Sequence, residues 1–122
     1  MAKLTLKEVD SYNDACPQLK ALLATMEELS KKKPHDPVNK FKLNHANEII
    51  RKVNKILGAK YRPFSDFEQF DVEGELPTSS DVVLMLAQYL SRMDKFKSDH
   101  QMDVYDEDYP DMLIGSKWNT KP

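Results

Sequence analysis

Cationic and amide side chains recur at helical spacing in the middle of the chain. Five positions follow one another at steps of four, three, four and four residues: Lys40, Asn44, Asn47, Arg51 and Lys55. Steps of three and four residues place side chains on one side of an α-helix. The pattern predicts a solvent-facing stripe in which Lys and Arg can neutralise phosphates or carboxylates and Asn can contact bases or sugars.

Three further cations extend this candidate binding site, namely Lys52, Lys60 and Arg62. Two kinds of partner suit it: an acidic protein surface, or a nucleic acid bound through the stripe itself. Lys and Asn are also ordinary residues on solvated helix surfaces, where the chain's own acids can neutralise them. The composition favours this plainer interpretation of the stripe over nucleic-acid binding.

Charge is segregated along the chain, although 18 basic and 20 acidic side chains give a formal net charge of only −2. Residues 31–62 contain ten Lys or Arg and two acids. Residues 63–81 contain six acids and no Lys or Arg, and so do residues 99–111. A net charge near zero does not direct the whole molecule to nucleic acid or an anionic membrane. We therefore expect recognition to be local, through the basic segment or the acidic ones.

Acidic and tyrosine side chains alternate irregularly near the C-terminal end of the sequence. The run comprises Asp103, Tyr105, Asp106, Glu107, Asp108, Tyr109 and Asp111. Carboxylates suit calcium, but an EF-hand loop needs acids at alternate positions, a glycine at the sixth and a glutamate at the twelfth. Clustered acids and Pro110 replace that order. We predict a solvated tail, or one that covers the basic segment or docks on a partner, and no metal site.

Residues for catalysis or transition-metal binding are scattered. The three histidines, His35, His45 and His100, lack metal-ligand spacing, and Cys16 has no CxxC partner. Cys16 falls in an apolar helix arc, where cysteines are generally inert, and His45 is expected at the partly buried edge of another arc. With three glycines in the chain, a phosphate-binding glycine loop is also absent. The sequence predicts a non-enzymatic chain with no cofactor.

The length and composition indicate one domain in a reducing compartment. A chain of 122 residues with 40% hydrophobic residues is long enough to bury one core without disulfides. The lone cysteine cannot form an internal disulfide, and no segment has the length and apolarity of a membrane span or secretory signal. We therefore predict a cytoplasmic protein that does not enter membranes.

Three long helices account for most of the apolar residues. The first is predicted at 15–32, capped by Asp14 and preceded by a shorter helical piece, because Pro17 is tolerated in a first turn; one kinked continuous helix is the alternative. The second is predicted at 37–57, with Asp36 as cap, Pro37 in the first turn and Gly58 beyond its end. The third is predicted at 79–98, with Thr78 or Ser79 as cap and Asp81 in the first turn, and its wide apolar face places it at the centre of the bundle.

The remaining segments are expected to pack on these helices. Aromatic residues at 61, 64, 67 and 70 should cover the bundle, with a short helical turn from Ser65 to Phe70. The segment 112–118 supplies Met112, Leu113, Ile114 and Trp118 for docking the tail. The fold class is therefore all-α: a small bundle of three long helices plus short helical segments over residues 1–102, and an acidic C-terminal tail over residues 103–122.

One position argues for burial by another chain. Leu84 lies outside the main apolar arc of the third helix and makes the segment VVLML hydrophobic nearly all round. Internal cover by the aromatic connection and the 112–114 segment is the favoured expectation, and a homo-oligomer or a larger assembly is the alternative. The sequence as a whole predicts a protein-interaction module, such as an accessory subunit, an inhibitor or a small regulatory or immunity-type factor. Its expected contacts are the basic helix face and the acidic aromatic segments.

Overall fold

The computed structural model describes residues 3–122 as three long helices followed by a β-hairpin. Helix α1 spans Leu6–Lys32, α2 spans Lys40–Tyr61 and α3 spans Ser79–Asp99; strands β1 and β2 span Gln101–Tyr105 and Leu113–Trp118. The three helices pack against one another around one core. Its fully buried side chains include Leu19, Met26, Leu43, Ile50, Leu86, Tyr89 and Met93.

Helix α1 is continuous through Pro17 and begins eleven residues before that proline. Thr5 caps it: the Thr5 hydroxyl accepts from the Glu8 amide at 3.1 Å, and the Glu8 carboxylate accepts from the Thr5 amide at 3.0 Å. This reciprocal capping box satisfies two amides that the first turn leaves unpaired. The predicted cap at Asp14 is therefore wrong, and the continuous helix is the correct alternative. Pro17 is exposed, and the buried arc extends unbroken on both sides of it.

Helix α2 begins at Lys40, and its cap is Asn39, whose side chain accepts from the Lys42 amide at 2.9 Å. The predicted start at Asp36–Pro37 is wrong because that segment runs beside the start of α3. The Val38 amide donates to the Pro77 carbonyl at 2.9 Å, and the Ser79 amide donates to the Asp36 carbonyl at 3.1 Å. These bonds hold residues 36–38 outside the helix.

The predicted end of α2 at residue 57 is four residues short, because Gly58 interrupts the helix and one more turn follows it. Its φ of 64° and ψ of −173° are non-helical and belong to a region that glycine alone adopts readily. The chain turns there and continues to Tyr61, whose hydroxyl donates to Asp99 on α3 at 2.8 Å. Gly58 therefore redirects the end of α2 toward the end of α3.

Helix α3 agrees with its predicted bounds to within one residue. Thr78 is the cap, accepting from the Asp81 amide at 3.3 Å, and Asp81 lies in the first turn as expected. Leu84 is 61% exposed, so neither the aromatic connection nor the 112–114 segment covers it. The expected internal cover for Leu84 is wrong.

The connection between α2 and α3 packs on the core without forming a helix. Phe70 is buried, Phe64 and Phe67 are partly buried, and both of the latter rings lie against Tyr89, with centroids 6.0 and 6.3 Å away. The predicted helical turn at Ser65–Phe70 is replaced by a turn at residues 65–66 and an irregular segment. The aromatic residues thus cover the bundle as expected, but from a segment without regular secondary structure.

Residues 101–118 form an antiparallel hairpin, so the fold is mostly helical but not all-α. Gln101 pairs with Trp118 and Tyr105 with Leu113, with an irregular register between Val104 and Tyr105. The base of the hairpin is fixed to the bundle. The Leu4 amide donates to the Asn119 carbonyl at 3.0 Å, and the Lys121 amide donates to the Leu4 carbonyl at 2.8 Å. Trp118 packs edge-on against Tyr12, with ring centroids 4.9 Å apart.

Of the four side chains predicted to dock the tail, Trp118 alone does so among the described residues; Met112, Leu113 and Ile114 are each more than half exposed. No helix within residues 3–122 is long and apolar enough to cross a bilayer.

Replacing Gly58 by alanine should lower the free energy of unfolding by about 1–3 kcal/mol, because an added Cβ makes this backbone conformation costly. A matched control is Gly115→Ala. Neither new Cβ would have an atom within 4 Å, but Gly115 does not have a positive φ. We expect Gly115→Ala to change stability by less than about 0.5 kcal/mol. Equal changes in urea denaturation for the two variants would contradict this assignment.

Candidate functional site

Four of the eight predicted binding residues share the exposed side of α2. Lys40, Asn44, Arg51 and Lys55 are all exposed, and we call them the basic face. Arg51 donates through a guanidinium N–H to the Gln69 side chain at 3.0 Å. Lys40 and Lys55 have no carboxylate within 4.0 Å among residues 3–122. Glu48 is also exposed on this helix, so the surface is mainly, not entirely, cationic.

Asn47 is not part of this surface, and the prediction that it faces solvent is wrong. It is 3% exposed, and its amide pairs with both backbone groups of Phe70. The Asn47 Nδ2 donates to the Phe70 carbonyl at 2.9 Å, and the Phe70 amide donates to Asn47 Oδ1 at 2.8 Å. Helical spacing placed Asn47 at the margin of the stripe, where the connection between α2 and α3 covers it. Asn47 therefore has a structural role.

The remaining three predicted residues lie away from the basic face. Lys52 turns toward α1, where its Nζ lies 3.9 Å from Asp14 and 3.2 Å from Gln18 Oε1. Arg62 pairs with Glu68 at 2.8 Å, and its side chain is 23% exposed. Lys60 follows the Gly58 interruption, with its Nζ 5.3 Å from the centre of the Tyr61 ring. The eight residues therefore form one surface of four, with the others at its borders or in the core.

Two cavities open along the contact between α1 and α2, and we call them together the seam groove. The larger, of about 500 Å³, has an apolar floor that includes Ile56 and Phe96, and its charged lining consists of three lysines and two acids: Lys7, Lys52 and Lys55, with Glu8 and Asp14. Lys55 thus belongs both to this cavity and to the basic face.

The smaller cavity, of about 280 Å³, is mainly apolar and is lined by Leu22, Met26, Phe41, Lys42, His45 and Ile49. Lys52 bonds to a residue of each cavity, Asp14 and Gln18, and so lies between them. Phe41 is 83% exposed at the border of the smaller cavity. Sequence reasoning missed this groove because it depends on how two helices pack, although an apolar Phe41 outside the buried arc of α2 was a signal.

The histidines and the cysteine do not assemble into a reactive site. Cys16 is buried with its Sγ 3.8 Å from the Tyr12 hydroxyl, and burial, followed by the neighbouring Cys16, raises the pKa of Tyr12. His45 is exposed, which corrects the expectation of partial burial. His100 is buried with its Nδ1 2.7 Å from the Phe96 carbonyl. Within residues 3–122, no three His, Cys, Asp or Glu side chains are grouped so as to hold a metal ion.

Comparison with known proteins gives no relative: no family model, curated protein or solved structure matches this chain.

Asn47→Ala should destabilise the chain by about 1–3 kcal/mol, because it leaves the buried backbone groups of Phe70 without partners. Asn44→Ala, three residues earlier on the exposed side, should change stability by less than about 0.5 kcal/mol. Thermal or urea unfolding of both variants measures the difference. Similar stabilities would mean that Asn47 does not hold the connection.

Tyr61→Phe should raise the pKa of Asp99 toward its ordinary value. Hydrogen bonds from Lys95 first, at 2.9 Å, and then from Tyr61, at 2.8 Å, lower that pKa. A carboxyl group whose pKa is lower in the folded state stabilises the fold above its unfolded pKa, and this stability is lost as the pH falls through the folded value. NMR titration of the Asp99 carboxyl carbon should therefore show an upward shift in Tyr61→Phe. Lys20→Ala, which changes an exposed side chain of α1, should leave the titration unchanged.

Proposed function

We propose that this chain is a non-enzymatic protein-interaction module that binds an acidic, aromatic-containing segment of a protein partner along the basic face and the seam groove. The observation that supports it most is the exposure of Lys40 and Lys55 with no carboxylate within 4.0 Å in the described part of the chain. Such cations are available for complementary charges, which guide association and fix orientation.

The seam groove would supply the apolar part of the interface. Protein interfaces derive most of their affinity from a few aromatic or aliphatic side chains that enter water-excluding pockets. The smaller, mainly apolar cavity beside Phe41 provides such a pocket. Lys55 lines the larger cavity and connects it to the basic face. A segment that carries both acids and large apolar side chains therefore suits this surface better than a purely acidic one.

A nucleic-acid partner is supported less well by the same surface. With Asn47 buried, Asn44 is the remaining amide of the stripe that is able to contact bases. Glu48 on the exposed side of α2 would repel phosphates. We therefore propose a protein partner, and the binding experiment also measures DNA.

Within this class, an accessory subunit, an inhibitor or a small regulatory factor each fits a chain that acts by contact. We place it in the cytoplasm, a reducing compartment, because its single cysteine, Cys16, cannot form an internal disulfide.

The test uses a fluorescein-labelled peptide of alternating Glu and Tyr or Leu residues, followed by fluorescence anisotropy. Arg51→Ala/Lys55→Ala should weaken its binding about threefold to tenfold, since two exposed charge contacts contribute on the order of 1 kcal/mol together. Added salt should weaken binding to the unmutated chain in the same direction.

The matched control is Lys20→Ala/Lys31→Ala, which removes two exposed positive charges from the side of α1 that does not line the seam groove. This variant should bind the peptide like the unmutated chain. A short DNA duplex and single strand should bind more weakly than the peptide at low salt. Tighter DNA binding, or equal peptide affinities for the two double variants, would refute the proposal.

A further inference from the structure

The hairpin carries most of the exposed large hydrophobic side chains of residues 3–122. Nine large hydrophobic side chains are exposed in residues 3–122, and six of them lie in the hairpin and its turn: Met102, Tyr105, Tyr109, Met112, Leu113 and Ile114. Isolated exposed apolar residues are ordinary, but a concentration of them marks a contact surface. An isolated two-stranded hairpin is also only marginally stable in water. A partner that covers the side chains left exposed by the bundle would therefore stabilise this one.

The same hairpin is strongly acidic, which restricts what can cover it. Residues 101–118 include five acids and one cation, Lys117. Two such hairpins placed face to face would bring their acidic turns together, and this repulsion opposes a symmetric hairpin-to-hairpin contact. The occupant must therefore offer cations beside apolar surface.

A surface with that chemistry is present on the chain itself, in the seam groove. Its two cavities have more cations than acids in their lining, beside an apolar floor and the exposed Phe41: four lysines, Lys7, Lys42, Lys52 and Lys55, against two acids, Glu8 and Asp14. No residue that lines either cavity belongs to the hairpin. The hairpin's base is fixed through Leu4, Asn119 and Trp118, and residues 107–111 of its turn are exposed, so the turn does not occupy the groove of its own chain.

We infer that the hairpin of one copy of this chain binds in the seam groove of a second copy. The acids of the turn face the groove's lysines, and the tyrosine and aliphatic side chains cover its apolar floor. This inference rests on the proposed function, because it names the acidic, aromatic-containing partner of that surface. The contact joins two different surfaces, so it is made twice in a closed reciprocal dimer or once at each junction of an open chain.

The experiment measures molar mass by light scattering after gel filtration, over a range of concentrations and at low and high salt. The unmutated chain should exceed the monomer mass of 14.1 kDa at high concentration and low salt, and should dissociate in high salt. Two charge-reversal variants should each remain monomeric. The turn variant is Glu107→Lys/Asp108→Lys/Asp111→Lys, and the groove variant is Lys7→Glu/Lys55→Glu.

These substitutions spare the groups that hold the fold. Asp106 is kept because its carboxylate accepts from the Asp108 and Tyr109 amides at 2.8 and 3.0 Å and so stabilises the turn. Lys52 is kept because it bonds to Asp14 and Gln18. Glu27→Lys/Glu73→Lys/Asp94→Lys, which reverses three exposed acids outside the hairpin, is the control and should associate like the unmutated chain.

The decisive measurement mixes the turn variant with the groove variant. The basic turn of the turn variant should bind the acidic groove of the groove variant, and the acidic turn of the groove variant should bind the basic groove of the turn variant. An equimolar mixture should therefore show a mass above that of the monomer. A monomeric unmutated chain at every concentration and salt, or a mixture that stays monomeric, overturns the inference. If the unmutated chain stays monomeric but still binds the acidic peptide, the proposed function stands without self-association. If it does not bind the peptide either, the proposed function and the self-association both fail.

Discussion

The paired hydrogen bonds between Asn47 and Phe70 hold the long connection between α2 and α3 in place. They fix an irregular segment to the side of α2, with Phe70 buried and Phe67 packed between Phe70 and Tyr89. Arg51–Gln69 and Arg62–Glu68 hold the two residues just before Phe70 in the same segment. The connection thereby covers one margin of α2, and Lys40 and Lys55 on its exposed side remain uncovered.

The sequence predicts the helices well wherever local signals decide their ends. Thr78 and Asp81 define the start of α3, and Gly58 marks the interruption of α2, because capping and left-handed backbone depend on a few neighbouring residues. The start of α2 was misplaced because the Asp36–Pro37 signal competes with bonds to Pro77 and Ser79, which are distant in sequence. The hairpin was missed because its strands pair with each other over exposed side chains and have no regular apolar alternation.

The candidate site was also predictable from the sequence only in part. Spacing was sufficient to place Lys40, Asn44, Arg51 and Lys55 on one exposed side, since a helix repeats every 3.6 residues. Spacing does not show which margin of that side another segment will cover, and this decides the fate of Asn47. The seam groove depends on the packing of α1 against α2 and has no counterpart in the pattern of either helix alone.

The strand-like contact of Leu4 with Asn119 and Lys121 has a consequence for the order of folding. These bonds join residues separated by nearly the whole length of the chain, and closing so long a loop is entropically costly until the intervening helices have assembled. The capping box at Thr5 and Glu8 adjoins Leu4, so the first turn of α1 and the base of the hairpin should become ordered together. During synthesis, the hairpin should therefore become fixed to the bundle only after the three helices have assembled.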